Sequence, residues 1–312
     1  MTVLVTGGGG FIGRSVVQRL LERGENPVVL PHRWHGPKGL ESQLPAGDVD
    51  GCIHLGWYAD TQDYLVNVAE NRQSLQDSLD LVEMLGGRGC TSLVVAGTSA
   101  EYAASDKALS EDAQVAPWSV YGAAKASLHQ FLRSSLAPAE MVVSWARIFN
   151  VTGPGEDPNR LLPYVARSVM AGREVPLTAG TQVRDFLHVD DVADGLVQLL
   201  YAARPGAYNV SSGQGTPLSQ VLTELAQALG DPALLKFGER RRGEHDPDGV
   251  VGSNVSLRGL GWRSSHDLTQ TLASVADYWR AAALTGADHE MGGPSSSVRP
   301  RPAGGTKRPA LR

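Results

Sequence analysis

A tyrosine and a lysine four residues apart, Tyr121 and Lys125, have the types and spacing for proton chemistry. On a helix, positions i and i+4 share one face. A tyrosine alone, with an ordinary pKa of about 10, exchanges protons poorly near neutrality. An ammonium beside it favours the phenolate and draws that pKa toward the working range. On an arbitrary helix the same spacing would be a surface pair. Here it follows a hydroxyl-bearing strand end, Gly97-Thr98-Ser99. Thr98 is the natural third member, because its hydroxyl can hydrogen-bond the same substrate oxygen as Tyr121. Ser99 is the alternative, since sequence alone does not say which hydroxyl points inward. Capping or turn chemistry would use the same groups.

The elements that would carry these groups start with the run Val3-Leu4-Val5, followed directly by Thr6-Gly7-Gly8-Gly9-Gly10-Phe11-Ile12-Gly13. Ile12, Val16, Leu20 and Leu21 then recur at helical spacing, with Gly24 as the stop. Strand, glycine turn and helix are the setting that a dinucleotide fingerprint requires. Glycines let the backbone approach a pyrophosphate, and the helix N-terminus offers N–H groups and a favourable dipole. Gly8, Gly10 and Gly13 fit GxGxxG, while Gly7, Gly10 and Gly13 fit GxxGxxG. A second strand, Val28-Val29-Leu30, ends at Pro31-His32-Arg33 without an acid to take ribose hydroxyls. Arg33 is placed either to meet a 2′-phosphate or as a solvated surface arginine. From His35 to Asp50 no clear third strand is present.

Apolar runs at Cys52 to Leu55, Leu93 to Ala96 and Met141 to Ile148 alternate with helical patterns over Tyr64 to Leu85 and Tyr121 to Leu136. The second pattern has Ala124, Leu128, Phe131 and Leu132 as its apolar face. The alternation predicts an α/β fold, a Rossmann-type doubly wound parallel sheet covered on both faces. After Asn150 the rhythm changes, with helices expected over Leu161 to Ala171 and Asp191 to Ala203. Another is opened by Thr216-Pro217 and runs to Leu229, and a last one runs from Asp267 to about Leu284. This divides the chain into a dinucleotide-binding domain over 1–150, with 190–204 returning to it, and a smaller C-terminal substrate-binding α/β domain over 151–189 and 205–284. Residues 285–312 are Gly, Pro, Ser and Arg with little apolar content and read as a disordered tail.

Composition narrows the classes. A net charge of −5 over 312 residues gives no reason to expect nucleic acid or an anionic membrane as partner. Cys52 and Cys90 lie in or beside apolar runs and read as core residues of a reducing compartment. No run approaches membrane-spanning length, and the first apolar run breaks at glycine too soon for a signal peptide, so a cytoplasmic protein is expected. His32 and His35 lack partners in any metal-binding spacing, so no metal site is expected.

Further stretches carry a resemblance. Arg147-Ile148-Phe149-Asn150-Val151-Thr152-Gly153-Pro154-Gly155, Arg184-Asp185-Phe186-Leu187-His188-Val189-Asp190-Asp191-Val192, Tyr208-Asn209-Val210 and Leu260-Gly261-Trp262 follow the glycine turn, Gly97 to Tyr102 and Tyr121 to Lys125 in order. Together they resemble the extended short-chain dehydrogenase/reductases of the NAD-dependent epimerase/dehydratase type, which act on nucleotide sugars, and the likeness covers roughly residues 1–284. The resemblance implies that Gly7, Gly10, Phe11 and Ile12 hold the pyrophosphate, and that Arg33, Leu55 and Phe149 also lie along the cofactor. It implies that Lys125 holds the nicotinamide ribose as well as tuning Tyr121. Asn150, Arg184 and an arginine among Arg240, Arg241 and Arg242, with Arg241 and Arg242 preferred, would face the nucleotide diphosphate sugar, beside Thr98 and Ser99. Asn71 matches an asparagine that the family carries on the helix after its fourth strand, and pairing of two copies through a helix bundle, giving a homodimer, is implied too.

Three departures shape the functional expectation. The second strand lacks the acid of NAD users, the third strand is missing or abbreviated, and Ser99-Ala100 replace the Asp-Glu pair of 4,6-dehydratases. NADP(H) is therefore expected over NAD(H), and the first reading is an NADPH-dependent ketoreductase of an NDP-4-keto-6-deoxy sugar. The second is an NDP-sugar 4-epimerase with tightly held NAD. A non-catalytic NADP-binding regulator is a third, opposed by the intact set of Thr98, Tyr121 and Lys125.

Overall fold

The computed structural model describes residues 1–30, 34, 36–243 and 246–285. Arg33, with the cofactor preference drawn from it, and the tail over 286–312 lie outside the described residues. The first half of the chain alternates as expected: β1 (Val3–Thr6), α1 (Phe11–Glu22), β2 (Val28–Leu30), α2 (Gly36–Glu41), β3 (Gly51–His54), α3 (Val68–Gly86), β4 (Ser92–Thr98), α4 (Val120–Phe131) and β5 (Val142–Ile148). Then come β6 (Asn150–Thr152), α5 (Leu161–Met170), β7 (Val175–Leu177), β8 (Val183–Arg184), β9 (Phe186–His188), α6 (Val189–Ala202) and β10 (Gly206–Val210). The last elements are β11 (Thr216–Pro217), α7 (Leu218–Leu229), β12 (Leu235–Phe237), β13 (Gly249–Val250), α8 (Val255–Gly259) and α9 (Leu268–Thr285).

The central sheet has the order β10-β5-β4-β3-β1-β2 and is parallel at every pairing. Successive residues of a strand face opposite sides, and the two cores divide accordingly. Val3, Val5, Ile53, Val94 and Ala146 pack with α1 and α6, while Leu4, Cys52, Leu93, Val95 and Trp145 pack with α3 and α4. The α/β fold with a parallel Rossmann-like sheet is thus as the sequence predicts. Between β2 and β3 only the short α2 is formed among the described residues, so β2 stays at the sheet's edge. Cys52 and Cys90 are free and buried. A third core joins α5, α7 and α9 with β7 and β12 in a smaller lobe.

Four sequence expectations need correction. β10 pairs with β5 in the central sheet, and Leu257 and Trp262 join the α1–α6 core, so the stretch expected wholly in the second domain is shared between both. The helix after β3 begins at Val68, where the Asn67 side chain accepts from Glu70 N at 3.2 Å; the chain before it forms turns. Phe131 is 50% exposed, because the buried stripe of α4 runs through Lys125, Leu128 and His129 instead, with Leu132 buried just beyond its end. Thr216-Pro217 is a two-residue strand against β8, and the helix starts only at Leu218. No helix among the described residues is long and apolar enough to cross a membrane.

Candidate active site

The carboxyl ends of β1, β3 and β4 open on a cleft of about 1580 Å³ that continues into the smaller lobe. At one end lies the glycine turn. Gly7 has φ +67°, and a Cβ there would sit 3.0 Å from Gly56 N; a Cβ on Gly13 would lie 2.0 Å from the Gly7 carbonyl oxygen. A Cβ on Gly8 would meet only the flexible side chains of Val29 and Val17, so Gly7 and Gly13 are the positions where the backbone itself demands glycine. Gly10 is the N-cap of α1, whose first turn has neither a side-chain cap nor an acidic residue. Arg14 ties this turn to the opposite wall, donating to Gly9 O and Gly155 O, both at 3.1 Å.

Behind the turn, Thr6 Oγ1 accepts from Leu55 N and Gly56 N and stands 2.6 Å from His54 Nδ1. His54 Nε2 is 2.8 Å from Ser78 Oγ, which itself donates to Ser74 O. The ring therefore donates through Nε2 and accepts the Thr6 hydroxyl proton at Nδ1. Burial, reinforced by the Lys125 charge, pushes His54 down to about 3, in keeping with a neutral ring.

Thr98, Tyr121 and Lys125 meet in the middle of the cleft. Ser119 caps α4, accepting from Gly122 N at 3.0 Å. A Cβ on Gly122 would be 2.3 Å from Ala100 O, and this close approach carries Tyr121 to the end of β4. The Thr98 hydroxyl lies close enough to the Tyr121 phenol to favour its ionised form. Ser99 also lines the cleft and opens a single tight turn, Ser99–Glu101. Tyr121 stands edge-on to Trp57 and Tyr64, with ring centroids 6.3 and 5.2 Å away. The Lys125 ammonium donates to Ala96 O at 2.7 Å and lies 3.9 Å above the centre of the Trp57 ring.

This geometry changes the expected electrostatics. Burial pushes the Tyr121 phenol well above its ordinary value, the neighbouring Tyr64 adds to this, and the Thr98 hydrogen bond opposes it. Lys125 does not bring Tyr121 toward neutrality as the spacing suggested. Its ammonium is itself desolvated and pushed down to about 7, and it points to Ala96 and Trp57. Below Thr98, the fully buried Glu101 carboxylate accepts from Thr98 N, Trp145 Nε1 and Arg147 Nε. Arg147 also donates to Tyr102 Oη, which donates on to Asn209 Oδ1.

The far end of the cleft is cationic but partly neutralised. Arg184 is ion-paired with Asp246, and Gln182 Nε2 donates to the same carboxylate at 3.0 Å. Of the three consecutive arginines, Arg240 lines the cleft. Arg241 is exposed and Arg242 turns to Asp246 and Asp248, so neither lies on the wall as expected. Asn150 and Phe149 are on the wall; Asn150 Nδ2 donates to Asp185 O at 3.1 Å, and Phe149 packs by Tyr102. Asn71 stands behind the wall, accepting from Trp57 Nε1 at 2.9 Å.

Sequence reasoning missed four wall residues. Trp57 and Tyr64 frame Tyr121, and the aromatic density after β3 was the available signal. Arg160, at the N-cap of α5, donates to Tyr64 Oη at 3.3 Å; a cation where caps are usually Ser, Thr, Asp or Asn was the hint. Glu156, buried against Thr152 Oγ1 at 2.6 Å, has its carboxyl pushed up to about 7 by desolvation. Nothing in its local pattern marked it. Among the described residues no cluster suited to a metal ion is formed.

The NAD dependent epimerase/dehydratase family model matches residues 3–211. The chain belongs to this family. Among curated family relatives, a UDP-glucose 4-epimerase of Corynebacterium glutamicum is 26% identical over 323 residues, covering 92% of this chain and 97% of its own. The solved UDP-glucose 4-epimerase of Thermus thermophilus, in complex with NAD, superposes with a TM-score of 0.78 at 26% identity, over 90% of this chain and 100% of that one. MoeE5 in complex with UDP-glucuronic acid and NAD gives 0.79 at 25% identity, over the same shares. The epimerase/dehydratase family's dinucleotide suits the turn seen here. Gly7 and Gly13 leave no room for side chains, and the uncapped first turn of α1 presents free N–H groups.

Proposed function

We propose that this chain is a nucleotide-sugar 4-epimerase that keeps its dinucleotide through the cycle. The observation that carries the reading is that Thr98, Tyr121 and Lys125 line one cleft with the glycine turn and with Arg184 and Arg240 of the smaller lobe. Family relatives matched along nearly their whole length and named as UDP-glucose 4-epimerases support it over the ketoreductase first expected. That expectation leaned on Arg33, which lies outside the described residues.

When bound, the dinucleotide supplies the acceptor and donor of hydride. Gly7, Gly10, Phe11 and Ile12 would hold its pyrophosphate, and Lys125 its ribose beside the reacting centre. In its ionised form Tyr121 Oη would take the proton of the sugar 4-hydroxyl, becoming the neutral phenol, and would later return that proton, while Thr98 Oγ1 hydrogen-bonds the same oxygen. Trp57, Tyr64 and Phe149 keep the cleft apolar around that oxygen, and Arg184, Arg240 and Arg160 supply charge for the diphosphate. UDP-glucose and UDP-galactose are the first substrates to test.

The purified protein, given UDP-galactose and no added cofactor, is expected to form UDP-glucose, read by ¹H NMR of the anomeric signals. Extraction is expected to release NAD. Release of no dinucleotide, with NADPH consumed on a 4-keto sugar nucleotide and no epimer formed, would return the ketoreductase reading to first place.

A further inference from the structure

Lys125 poses a problem that the proposed reaction does not solve. Its ammonium is buried, with 2% of the residue exposed, and it has three N–H donors. Among the described residues it makes one hydrogen bond, to Ala96 O. The charged groups facing it are few. Glu101, under the end of β4, favours the cation from a distance. His54, on β3, is neutral within its relay, and burial holds the Tyr121 phenol above its ordinary value. Among the described residues no carboxylate is in direct ion-pair contact with the ammonium.

What does touch it is an indole. The Lys125 Nζ lies 3.9 Å from the centroid of Trp57, well inside the range over which a cation is drawn to the negative face of an aromatic ring. The orientation of that ring is fixed from behind. Trp57 Nε1 donates to Asn71 Oδ1 at 2.9 Å, and the Asn71 amide donates to Tyr64 O and Asn67 O at 2.7 and 2.9 Å. Asn71 is fully buried and both its amide hydrogens are committed to backbone carbonyls, so its oxygen is fixed where it anchors the indole N–H. The same ring meets Tyr121 at an interplanar angle of 78°.

We propose that Trp57 is a positioning residue for the Tyr121–Lys125 pair: its ring face holds the buried Lys125 ammonium in place and charged, and its edge packs the Tyr121 phenol. Trp57 itself exchanges no proton. The proposal takes from the epimerase reading only that Lys125 works beside Tyr121, and it applies equally to a reductase.

The test reads Lys125 directly, without substrate. The chain has few lysines, Lys38, Lys107, Lys125, Lys236 and Lys307, so ¹³Cε-lysine labelling gives a simple spectrum in which Lys125→Met identifies the signal of interest. Titrating that signal in the full-length protein, Trp57→Leu is expected to lower the Lys125 midpoint by about one unit, and Trp57→Phe, which restores a π face, to recover most of the loss. Incorporation of 5-fluorotryptophan keeps shape and N–H while thinning the electron density of the face; it is expected to lower the midpoint slightly without unfolding. This arm decides the matter if Trp57→Leu does not fold, because Trp57 is the tryptophan whose face meets Lys125. An unchanged or raised Lys125 midpoint with 5-fluorotryptophan and in the Trp57 variants would overturn the proposal. Loss of epimerisation with an unmoved midpoint would do the same, since it would assign Trp57 a packing role only.

Discussion

Glu101 Oε1 accepts the backbone N–H of Thr98 at 2.8 Å, so the residue offered to the substrate oxygen is held from below by a buried carboxylate. The same carboxylate is the ion-pair partner of Arg147, which is 3% exposed. Removing it strands a buried guanidinium. Glu101→Ala is expected to cost ~3–5 kcal/mol of folding free energy, measured by urea unfolding. Glu101→Gln, which keeps an acceptor for Thr98 N, is expected to cost less. Parent-like stability in Glu101→Ala would mean that Arg147 finds another partner or water.

Tyr121→Phe removes the phenolic oxygen and leaves both aromatic edge contacts in place. Turnover is expected to fall by ~10²–10⁴ while the amount of dinucleotide retained on purification stays unchanged. Turnover near that of the parent would remove Tyr121 from the chemistry.

Arg184 and Asp246 neutralise one another inside the cleft, so an incoming diphosphate must compete with a carboxylate. The two single variants are therefore expected to move UDP affinity in opposite directions. Arg184→Ala loses a charged hydrogen bond worth ~1.5–3 kcal/mol, and Asp246→Asn frees the guanidinium and tightens binding several-fold. Calorimetric titration with UDP reads both. Weakening in both would assign Asp246 to holding Arg184 in position.

Glu156 gives a pH-dependent prediction. Its carboxyl titrates at about 7 in the folded protein against an ordinary 4.5. Between these values the native state keeps a proton that the unfolded chain has released. Stability is therefore lost as the pH rises from 4.5, and the loss is complete above 7. Glu156→Gln lacks this penalty and can still accept from Thr152. It is expected to be more stable than the parent at pH 8, by up to on the order of 3 kcal/mol, and close to it at pH 4.5. Equal urea midpoints at pH 8 would show that water reaches the carboxyl.

What could be read from the sequence was what local spacing encodes. The glycine turn, the strands at Val3–Thr6 and Ser92–Thr98, and the shared face of Tyr121 and Lys125 depend on neighbours a few residues away. The partner of Lys125 does not. Trp57 reaches it because β3 and β4 are adjacent in register, His54 beside Val95, a fact of sheet pairing rather than of pattern. The triple Arg240-Arg241-Arg242 failed for a related reason. A run of like residues does not say which one faces a wall that other segments build, and Asp246 and Asp248 draw Arg242 aside. Gly7 against Gly8 was equally undecidable until Leu55 and Gly56 stood behind the turn.

The placement of β10 in the central sheet governs how this molecule can come apart. The chain leaves the sheet after β5, returns through α6 and β10, leaves again, sends Leu257 and Trp262 back, and then places α9 in the smaller lobe. Neither lobe is a continuous piece of polypeptide. A fragment covering 1–150 would leave the β5 edge open where β10 belongs, a bare parallel edge prone to self-association. Loosening of the smaller lobe pulls on strands of the larger one, so heat or denaturant is expected to melt both as a single cooperative unit, and a protease nick in either lobe to release no stably folded half.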